Sequence, residues 1–301
     1  MSAWTRVEEL FGTENLALLA RKRVGVVGLG SGGGFVALSL AMSGVGNFVL
    51  VDGDALEEGN VVRHVADRRY IGRNKAEAVA ELIQYRNPKA QVQVYADSIE
   101  AHPEALDGLD LLVVGVDNEN VKYWLNQHCL NLRLPAVYAG VYERGEGGDV
   151  VIIRPYDGPC YACWAEELRG GAPMSERSAD KELDYGMIGE TGTLEAEPGL
   201  WLHVAKVAAI QTDIALNELL LGTDANEAMP ANTIVIANNA IEIVTDEVSP
   251  PHSGMWINIP RDPQCLVCGE KMRLTDEIKA VMSLEDLGAE FLSEENQAED
   301  D

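Results

Sequence analysis

The feature that most constrains this chain is a glycine-rich stretch without charged side chains at residues 24–51. An apolar segment at residues 24–27 leads into the sequence GLGSGG at residues 28–33, and a helix-compatible segment and a second apolar segment follow. In a strand–helix–strand unit that binds a nucleotide, the first glycine forms the tight turn, the second admits phosphate close to the backbone, and the third lets the helix pack on the strand. The stretch therefore predicts a nucleotide-binding βαβ unit.

An acidic residue stands where such a unit needs one. Asp52 follows the second apolar segment, 24 residues after Gly28, where an acceptor for the ribose hydroxyls is expected. Two alternatives stay open at this point: a glycine-rich turn in another doubly wound sheet, and a membrane-spanning helix. The eight glycines in residues 24–51 and the change from strand to helix periodicity make a spanning helix the weaker alternative.

Segments typical of strands and helices alternate over residues 23–140. This alternation predicts an α/β fold with a doubly wound, mainly parallel, Rossmann-like sheet, followed by a strand-rich C-terminal part from residue 150. We expect a polar loop at residues 53–73, a hairpin around residues 238–239 and a crossover loop at about residues 164–198. The chain divides into three parts: an N-terminal helical segment (1–22), a main domain (23–270) and an acidic tail (271–301).

The charge of the chain limits the kinds of partner that we expect it to bind. The 301 residues carry a formal net charge of −26, which argues against general binding to nucleic acids or anionic membranes, so we expect neither as a partner. The first residues contain no apolar core of a signal peptide, and we expect a cytoplasmic protein. Five of the 23 lysines and arginines nevertheless lie within residues 63–75. This local positive charge suits a polyphosphate, although a solvated helix start would have the same composition.

Four of the five cysteines form two Cys-x-x-Cys pairs, Cys160 with Cys163 and Cys265 with Cys268. Each two-residue gap lets both thiolates face one metal, and two such pairs complete a tetrahedral four-cysteine zinc site. Because all four positions are filled, we expect the zinc to be a structural staple. Disulfides are the alternative, which a cytosolic chain disfavours. The fifth cysteine, Cys129, is expected to be a small core residue.

The order of these motifs resembles the ThiF/MoeB/HesA family, the adenylating enzymes related to ubiquitin-activating enzymes. The resemblance covers nearly all of residues 6–270 and makes residues 23–270 a ThiF-type adenylation domain. It rests on GLGSGG, VDGDALEEGNVVR, GRNK, VDN, CYAC and CLVC, in that order. It implies ATP- and Mg²⁺-dependent activation of the C-terminal carboxylate of a ubiquitin-like or sulfur-carrier protein, with release of pyrophosphate.

The resemblance also implies roles for individual residues around the ribose and phosphates of ATP. Gly28, Gly30 and Ser31 would line the nucleotide. Asp52 would hold the ribose, and Asp54 belongs to the same nucleotide-binding set.

Further along the chain, the resemblance implies residues for the triphosphate and its metal. Asn60 and Arg63 would contact the phosphates, and Lys75 would neutralise the triphosphate. Asp117 would bind magnesium, with Asn118 beside it.

The implied chemistry needs cations and no general base. A protein C-terminal carboxylate has a pKa of about 3.5 and is already an anion at neutral pH, so it can attack the α-phosphate of ATP directly. The catalytic set is then Arg63, Lys75, Asp117 and Arg6, which offset the developing charge. Arg6 stands where family members carry an arginine that reaches into the partner subunit's site, which implies a homodimer.

Three departures from the family pattern bear on mechanism. Ser31 replaces a common glycine beside phosphate, and His64 replaces the glutamine of the usual Asn-x-x-Arg-Gln; we predict no catalytic role for His64. Many relatives transfer the acyl group to a cysteine in the crossover loop, but residues 164–198 contain none. The hydroxyls there, on Ser175, Thr191 and Thr193, have no base nearby in sequence. We therefore expect catalysis to stop at the acyl-adenylate.

Other functions remain open from sequence alone. An enzyme of the same fold could activate a small-molecule or RNA-borne carboxylate. A nicotinamide-dependent oxidoreductase would explain the glycine loop and Asp52, but would leave Asn60, Arg63 and Lys75 without a role. A pseudoenzyme that merely binds a ubiquitin-like partner would not need these charged residues.

Overall fold

The structure is a computed structural model that describes residues 3–169, 186–188, 194–196, 199–244 and 247–270. The helices are α1 (Thr5–Phe11), α2 (Thr13–Leu19), α3 (Ser31–Met42), α4 (Lys75–Arg86), α5 (Glu119–Leu132), α6 (Tyr161–Arg169) and α7 (Trp201–Leu219). The strands are β1 (Arg23–Val27), β2 (Asn47–Val51), β3 (Gln91–Tyr95), β4 (Leu111–Val114), β5 (Ala136–Val141), β6 (Gly147–Ile153), β7 (Gly186–Ile188), β8 (Leu194–Ala196), β9 (Thr233–Ala237), β10 (Ile241–Val244), β11 (Glu247–Ser249) and β12 (Ser253–Ile257).

Eight of these strands form one sheet in the order β12-β9-β6-β5-β4-β1-β2-β3. The five strands from β3 to β5 pair in parallel, as the alternation of strands and helices predicts. Strands β6, β9 and β12 add antiparallel pairs at the other end. The predicted fold is therefore confirmed: an α/β, mainly parallel, Rossmann-like sheet continues into a strand-rich C-terminal part.

The sheet lies between two layers of helices because successive side chains point to opposite faces. Val24 and Val26 of β1 belong to a core shared with α3, α4 and α7. Val27, one residue on, belongs to the core on the opposite face, which includes residues of α5 and α6. The uncharged stretch at residues 24–51 is thus β1, α3 and β2. Among the described residues, no helix is long and apolar enough to cross a membrane.

Two local predictions are wrong. Residues 53–73 are not simply a polar loop, because Leu56, Ala66 and Tyr70 are buried and pack against Ala78 of α4. Two short 3₁₀ turns, Glu58–Arg63 and Arg68–Tyr70, shape this segment.

The expected hairpin around residues 238–239 is also wrong. Strand β9 pairs with β6 and β12, whereas β10 pairs with β11. The reason is burial: Val235, Ile236 and Ala237 are all buried, which suits an interior strand of the main sheet and not one arm of an exposed hairpin.

The expected crossover loop begins as a helix. Helix α6 runs to Arg169, and Trp164 anchors it, since its buried indole Nε1 donates to Thr233 Oγ1 at 3.1 Å. Ser175, Thr191 and Thr193, together with the acidic tail at residues 271–301, lie outside the described residues.

Candidate functional site

A cavity of about 1080 Å³ opens at the carboxyl ends of β1, β2, β4 and β5. Strand order reverses between β1 and β4, which is where ligands bind in sheets of this kind. All ten residues expected to bind nucleotide line this cavity: Gly28, Gly30, Ser31, Asp52, Asp54, Asn60, Arg63, Lys75, Asp117 and Asn118.

The turn between β1 and α3 has the shape that the glycines predict. Gly28 has φ +85°, and a Cβ there would lie 2.7 Å from the carbonyl carbon of Gly115. A Cβ on Gly33 would lie 1.8 Å from the carbonyl oxygen of Gly28, so α3 packs on β1 more closely than any side chain allows. Around a Cβ on Gly30, by contrast, no described atom lies within 4 Å. The open backbone at Gly30 can therefore be approached by a ligand.

A network of hydrogen bonds joins this turn to the segment that follows β2. The Asp52 carboxylate accepts from the amide of Leu29 at 2.6 Å and from the amide of Asp54 at 2.8 Å. Asp54 Oδ2 in turn lies 2.8 Å from Lys75 Nζ. Asn74 caps α4 and donates to the Asp52 carbonyl at 2.7 Å, which fixes Lys75 at the start of that helix.

The basic cluster of residues 63–75 divides in space. Arg63 and Lys75 line the cavity. The other three form ion pairs outside it: Arg68 with Glu58, Arg69 with Asp67, and Arg73 with Glu81. Two of the five basic residues are thus available to a bound polyphosphate, and the composition alone gave no sign of this division.

The Arg63 side of the cavity is a 3₁₀ turn. The side-chain oxygen of Asn60 accepts from the amide of Glu57 at 3.0 Å, so this expected phosphate contact also caps the turn. Arg63 ends the turn and is exposed, whereas the next residue, His64, is buried. On the other side, Asp117 and Asn118 follow β4, and Asn118 caps α5 through its side-chain oxygen.

Arg6 is not brought to this cavity. It is exposed on α1 and does not line the site of its own chain. Whatever role it has must be exercised elsewhere on the molecule or on another copy.

The four paired cysteines meet at one point. Cys160 Sγ lies 3.8 Å from the sulfurs of Cys163 and Cys265, and Cys163 Sγ lies 3.5 Å from that of Cys268. All four are buried, and none forms a disulfide. Zinc bonds of about 2.3 Å place tetrahedral sulfurs roughly 3.8 Å apart, so the cluster could hold zinc.

A sequence profile described as the ThiF family matches residues 5–256. The chain belongs to the ThiF family. It is 31% identical to the SAMP-activating enzyme E1 of Haloferax volcanii over 263 residues, 86% of this chain and 84% of that protein. It is 34% identical to the adenylyltransferase and sulfurtransferase uba4 of Aspergillus niger over 195 residues, 62% of this chain but 40% of that protein.

Solved structures share the architecture of this ThiF-family chain. The crystal structure of E. coli MccB with ATP aligns with a TM-score of 0.68 at 21% identity, covering 89% of this chain and 74% of MccB. At that identity the likeness concerns the fold.

Two buried polar residues that line this ThiF-family site were missed by sequence reasoning, as was the exposed Arg144. Lys122 of α5 lines the cavity with 1% of its side chain exposed, and its Nζ lies 2.9 Å from Glu119 Oε1. Glu119 and Lys122 are three residues apart, a spacing that predicts an ion pair on one face of a helix. Gln211 of α7 donates to the carbonyl of Val114, at the end of β4, at 3.0 Å and to the carbonyl of Val137, near the start of β5, at 2.9 Å. Nothing in the sequence distinguishes Gln211 from other polar residues of that helix.

Cys129, the fifth thiol of this ThiF-family chain, lies in the core between α5 and the sheet. Its side chain is 1% exposed, and burial raises the pKa of Cys129 to about 12. Since the thiolate is the nucleophile, this cysteine is unreactive at neutral pH.

Proposed function

We propose that this protein is an ATP- and Mg²⁺-dependent adenylyltransferase that activates the C-terminal carboxylate of a small ubiquitin-like or sulfur-carrier protein. The observation that carries the proposal is one cavity, at the reversal point of a ThiF-family sheet, lined by the glycine turn, Asp52, Arg63, Lys75 and Asp117. The names of the relatives agree with it: one activates SAMP, and the other is an adenylyltransferase.

In this proposal the nucleotide is held by groups that the structure leaves accessible. The backbone at Gly30 and the N-terminus of α3 receive phosphate, since free N–H groups at a helix start bind anions. Asp52 accepts from the ribose, and Arg63 and Lys75 bind the phosphate oxygens. Asp54 now holds Lys75 but is 75% exposed, so that ion pair costs little to exchange for phosphate.

The reaction itself requires no proton transfer. An oxygen of the substrate carboxylate forms a bond to the α-phosphorus, and the bond from that phosphorus to the bridging oxygen of pyrophosphate breaks. Pyrophosphate leaves with the electron pair, and an acyl-adenylate remains. The main barrier to this step is the repulsion between the two anions that must meet. Arg63 and Lys75 offset this negative charge.

Asp117 suits magnesium, because that ion is bound through one or two carboxylates together with substrate phosphates. When bound, magnesium would neutralise phosphate charge. The four cysteines would hold zinc as a structural ion, since a four-thiolate site has no open position.

The cavity has room for more than the nucleotide. Its volume of about 1080 Å³ is above the roughly 300–1,000 Å³ of common small-molecule sites. Beside the start of α3 it is lined by Leu200, Trp201 and Val204, and Leu200 is 61% exposed. An extended apolar wall favours the end of a polypeptide over a small or RNA-borne carboxylate.

We further propose that the acyl-adenylate is the final product on this enzyme. Four of the five cysteines in the chain form the cluster that would hold zinc, and the fifth, Cys129, is a buried thiol. A separate protein or a sulfide source must therefore intercept the activated carboxylate.

The test is ATP–pyrophosphate exchange with a candidate carrier protein that ends in Gly-Gly. Exchange should require magnesium and a free C-terminus, and the same carrier with an amidated C-terminus is the matched control. Mass spectrometry should find AMP on the carrier and no carrier bound to the enzyme through a thiol. Exchange driven equally well by a small carboxylic acid would instead favour the small-molecule alternative, and stabilisation by NADH but not ATP would favour an oxidoreductase.

A further inference from the structure

We propose that His64 is a positioning residue of the nucleotide site: as a neutral imidazole protonated on Nε2, it ties the Arg63 turn to the glycine loop, and its protonation weakens nucleotide binding. The nucleotide part of this inference rests on the proposed function. The state of the imidazole can be tested without any nucleotide.

The contacts of His64 are backbone groups on two different segments. The residue is 8% exposed and directly follows Arg63. Its Nε2 lies 2.6 Å from the carbonyl oxygen of Leu29, within the glycine loop. Its Nδ1 lies 2.9 Å from the amide nitrogen of Ala66. One ring therefore bridges the turn that presents Arg63 and the loop that faces phosphate.

These two partners fix the protonation state. The Ala66 amide can only donate, so Nδ1 must be unprotonated in order to accept. The Leu29 carbonyl can only accept, so Nε2 must carry the proton. Both bonds exist together in one form alone, the neutral ring protonated on Nε2.

The loop that His64 holds is fixed from its other side by Asp52. The Leu29 amide donates to Asp52 at 2.6 Å, while the Leu29 carbonyl accepts from His64. Leu29 lies between Gly28, which turns the chain, and Gly30, whose backbone is open to the cavity. Fixing both polar groups of Leu29 fixes the direction of the backbone at Gly30. His64 acts through Leu29, and for that reason it is a positioning residue.

The surroundings favour the neutral ring. Burial is the largest influence and lowers the pKa of His64 below its ordinary value of 6.5. The charge of Lys75 lowers this pKa further, whereas hydrogen bonds to Leu29 and Ala66 and the charge of Asp52 oppose the shift. The unfolded chain takes up the proton first, so the native arrangement is fully favoured above pH 6.5 and loses stability as the pH falls below it.

Glutamine is the matched substitution. Its amide offers one donor and one acceptor, so it can keep both bonds, but it does not titrate. The family pattern that this chain resembles commonly has glutamine at this position. His64→Gln should therefore preserve the loop and remove its sensitivity to acid, whereas His64→Leu removes both bonds.

The experiment measures ATP affinity by calorimetry between pH 5.5 and pH 8 for the wild type and both variants. At pH 8, we expect wild type and H64Q to bind alike and H64L to bind about tenfold more weakly, as loss of a buried hydrogen bond implies. Towards pH 5.5, the wild type should lose affinity relative to H64Q. ATP itself titrates in this pH range, but it does so equally with wild type and with H64Q. The difference between their ATP affinities therefore reports the protonation of His64. Thermal unfolding of each variant checks that it is folded.

A second measurement is independent of ATP. Long-range ¹H–¹⁵N NMR spectra at pH 8 should show one imidazole protonated on Nε2 that is absent from H64Q. A ring protonated on Nδ1 or on both nitrogens would overturn the proposal. So would an H64L variant that binds ATP as well as wild type, or an H64Q variant that loses as much ATP affinity towards pH 5.5 as wild type does. If wild type shows the expected imidazole but binds no ATP at any pH, the proposed function fails instead.

Discussion

In the described part of the chain, four cations line the cavity, and the two in the proposed catalytic set, Arg63 and Lys75, are held differently. Lys75 is 14% exposed and is fixed by the cap of α4 and by Asp54. Arg63 ends a 3₁₀ turn, is exposed, and has no ion pair among the described residues. Lys75 is therefore preorganised, while Arg63 can adjust to a ligand.

The first prediction concerns these two residues. Arg63→Ala and Lys75→Ala should each lower pyrophosphate exchange by about 10²–10³, the usual loss when one charge-stabilising group is removed. Arg69→Ala is the matched control, because Arg69 pairs with Asp67 outside the cavity. If R69A lowers the exchange rate as much as K75A does, or if K75A leaves that rate unchanged, Arg63 and Lys75 do not have the assigned roles.

The sequence predicted which residues lie together at the cavity, but not the ion pairs that these residues and their neighbours form. The ten nucleotide-binding candidates do line one cavity, because most of them follow the end of a strand or lie at the start of a helix, and such ends converge. Asn60 and Arg63 instead reach the cavity from the 3₁₀ turn Glu58–Arg63. The pairing of Arg73 with Glu81 depends on how its segment meets α4. The burial of Lys122 depends likewise on the packing of α5. The spacing of Glu119 and Lys122 indicates their ion pair but not its burial. The spacing of Arg73 and Glu81 indicates no contact.

At the scale of elements, the approach of α3 to β1 depends on one glycine. The second prediction is that Gly33→Ala lowers the free energy of unfolding by at least about 1–3 kcal/mol, because its Cβ would lie 1.8 Å from the Gly28 carbonyl oxygen. Gly32→Ala is the control, since its Cβ would lie 3.8 Å from Val204 and alanine favours a helix. Urea unfolding measures both; equal stabilities would contradict the close packing.

The four-cysteine cluster joins the start of α6 to the segment after β12. The third prediction is about one zinc per chain and a thermal midpoint lower by about 10 °C or more in Cys265→Ser, because metal-binding energy is folding energy in such sites. Metal analysis and calorimetry measure these quantities. Cys129→Ala should keep its zinc, since Cys129 lies outside the cluster. Freshly purified, reduced protein without zinc would contradict the assignment.

Strands and helices were predicted correctly where the sequence pattern of a segment agrees with its burial in the fold. The uncharged segments of β1, α3 and β2 are largely buried, and the glycines between β1 and α3 mark the turn, so the sequence identified them. The hairpin predicted around residues 238–239 was wrong because β9 pairs with β6 and β12, and strand partners distant in sequence leave no local signal.

At the scale of the whole molecule, Arg6 and the cavity are separate in one chain. The fourth prediction is that the active unit is a homodimer in which Arg6 completes the partner's site. R6A and K75A should each be nearly inactive in pyrophosphate exchange. Mixed after subunit exchange, they should recover about a quarter of wild-type activity, because half the dimers are hybrid and each hybrid has one intact site. A mixture that stays inactive would indicate that Arg6 does not act across an interface.

With Arg68, Arg69 and Arg73 neutralised by nearby acids, Arg63 and Lys75 stand on a chain of net charge −26. An approaching ATP, itself an anion, meets a repulsive field until it is within a screening length of them, about 10 Å at 0.1 M salt and 3 Å at 1 M. The rate constant for ATP association should therefore rise with KCl over this range, the reverse of attractive steering. Stopped-flow fluorescence with a labelled ATP measures it, and a falling rate constant would mean that the two cations dominate even at long range. Encounter with the nucleotide is then fastest in concentrated salt.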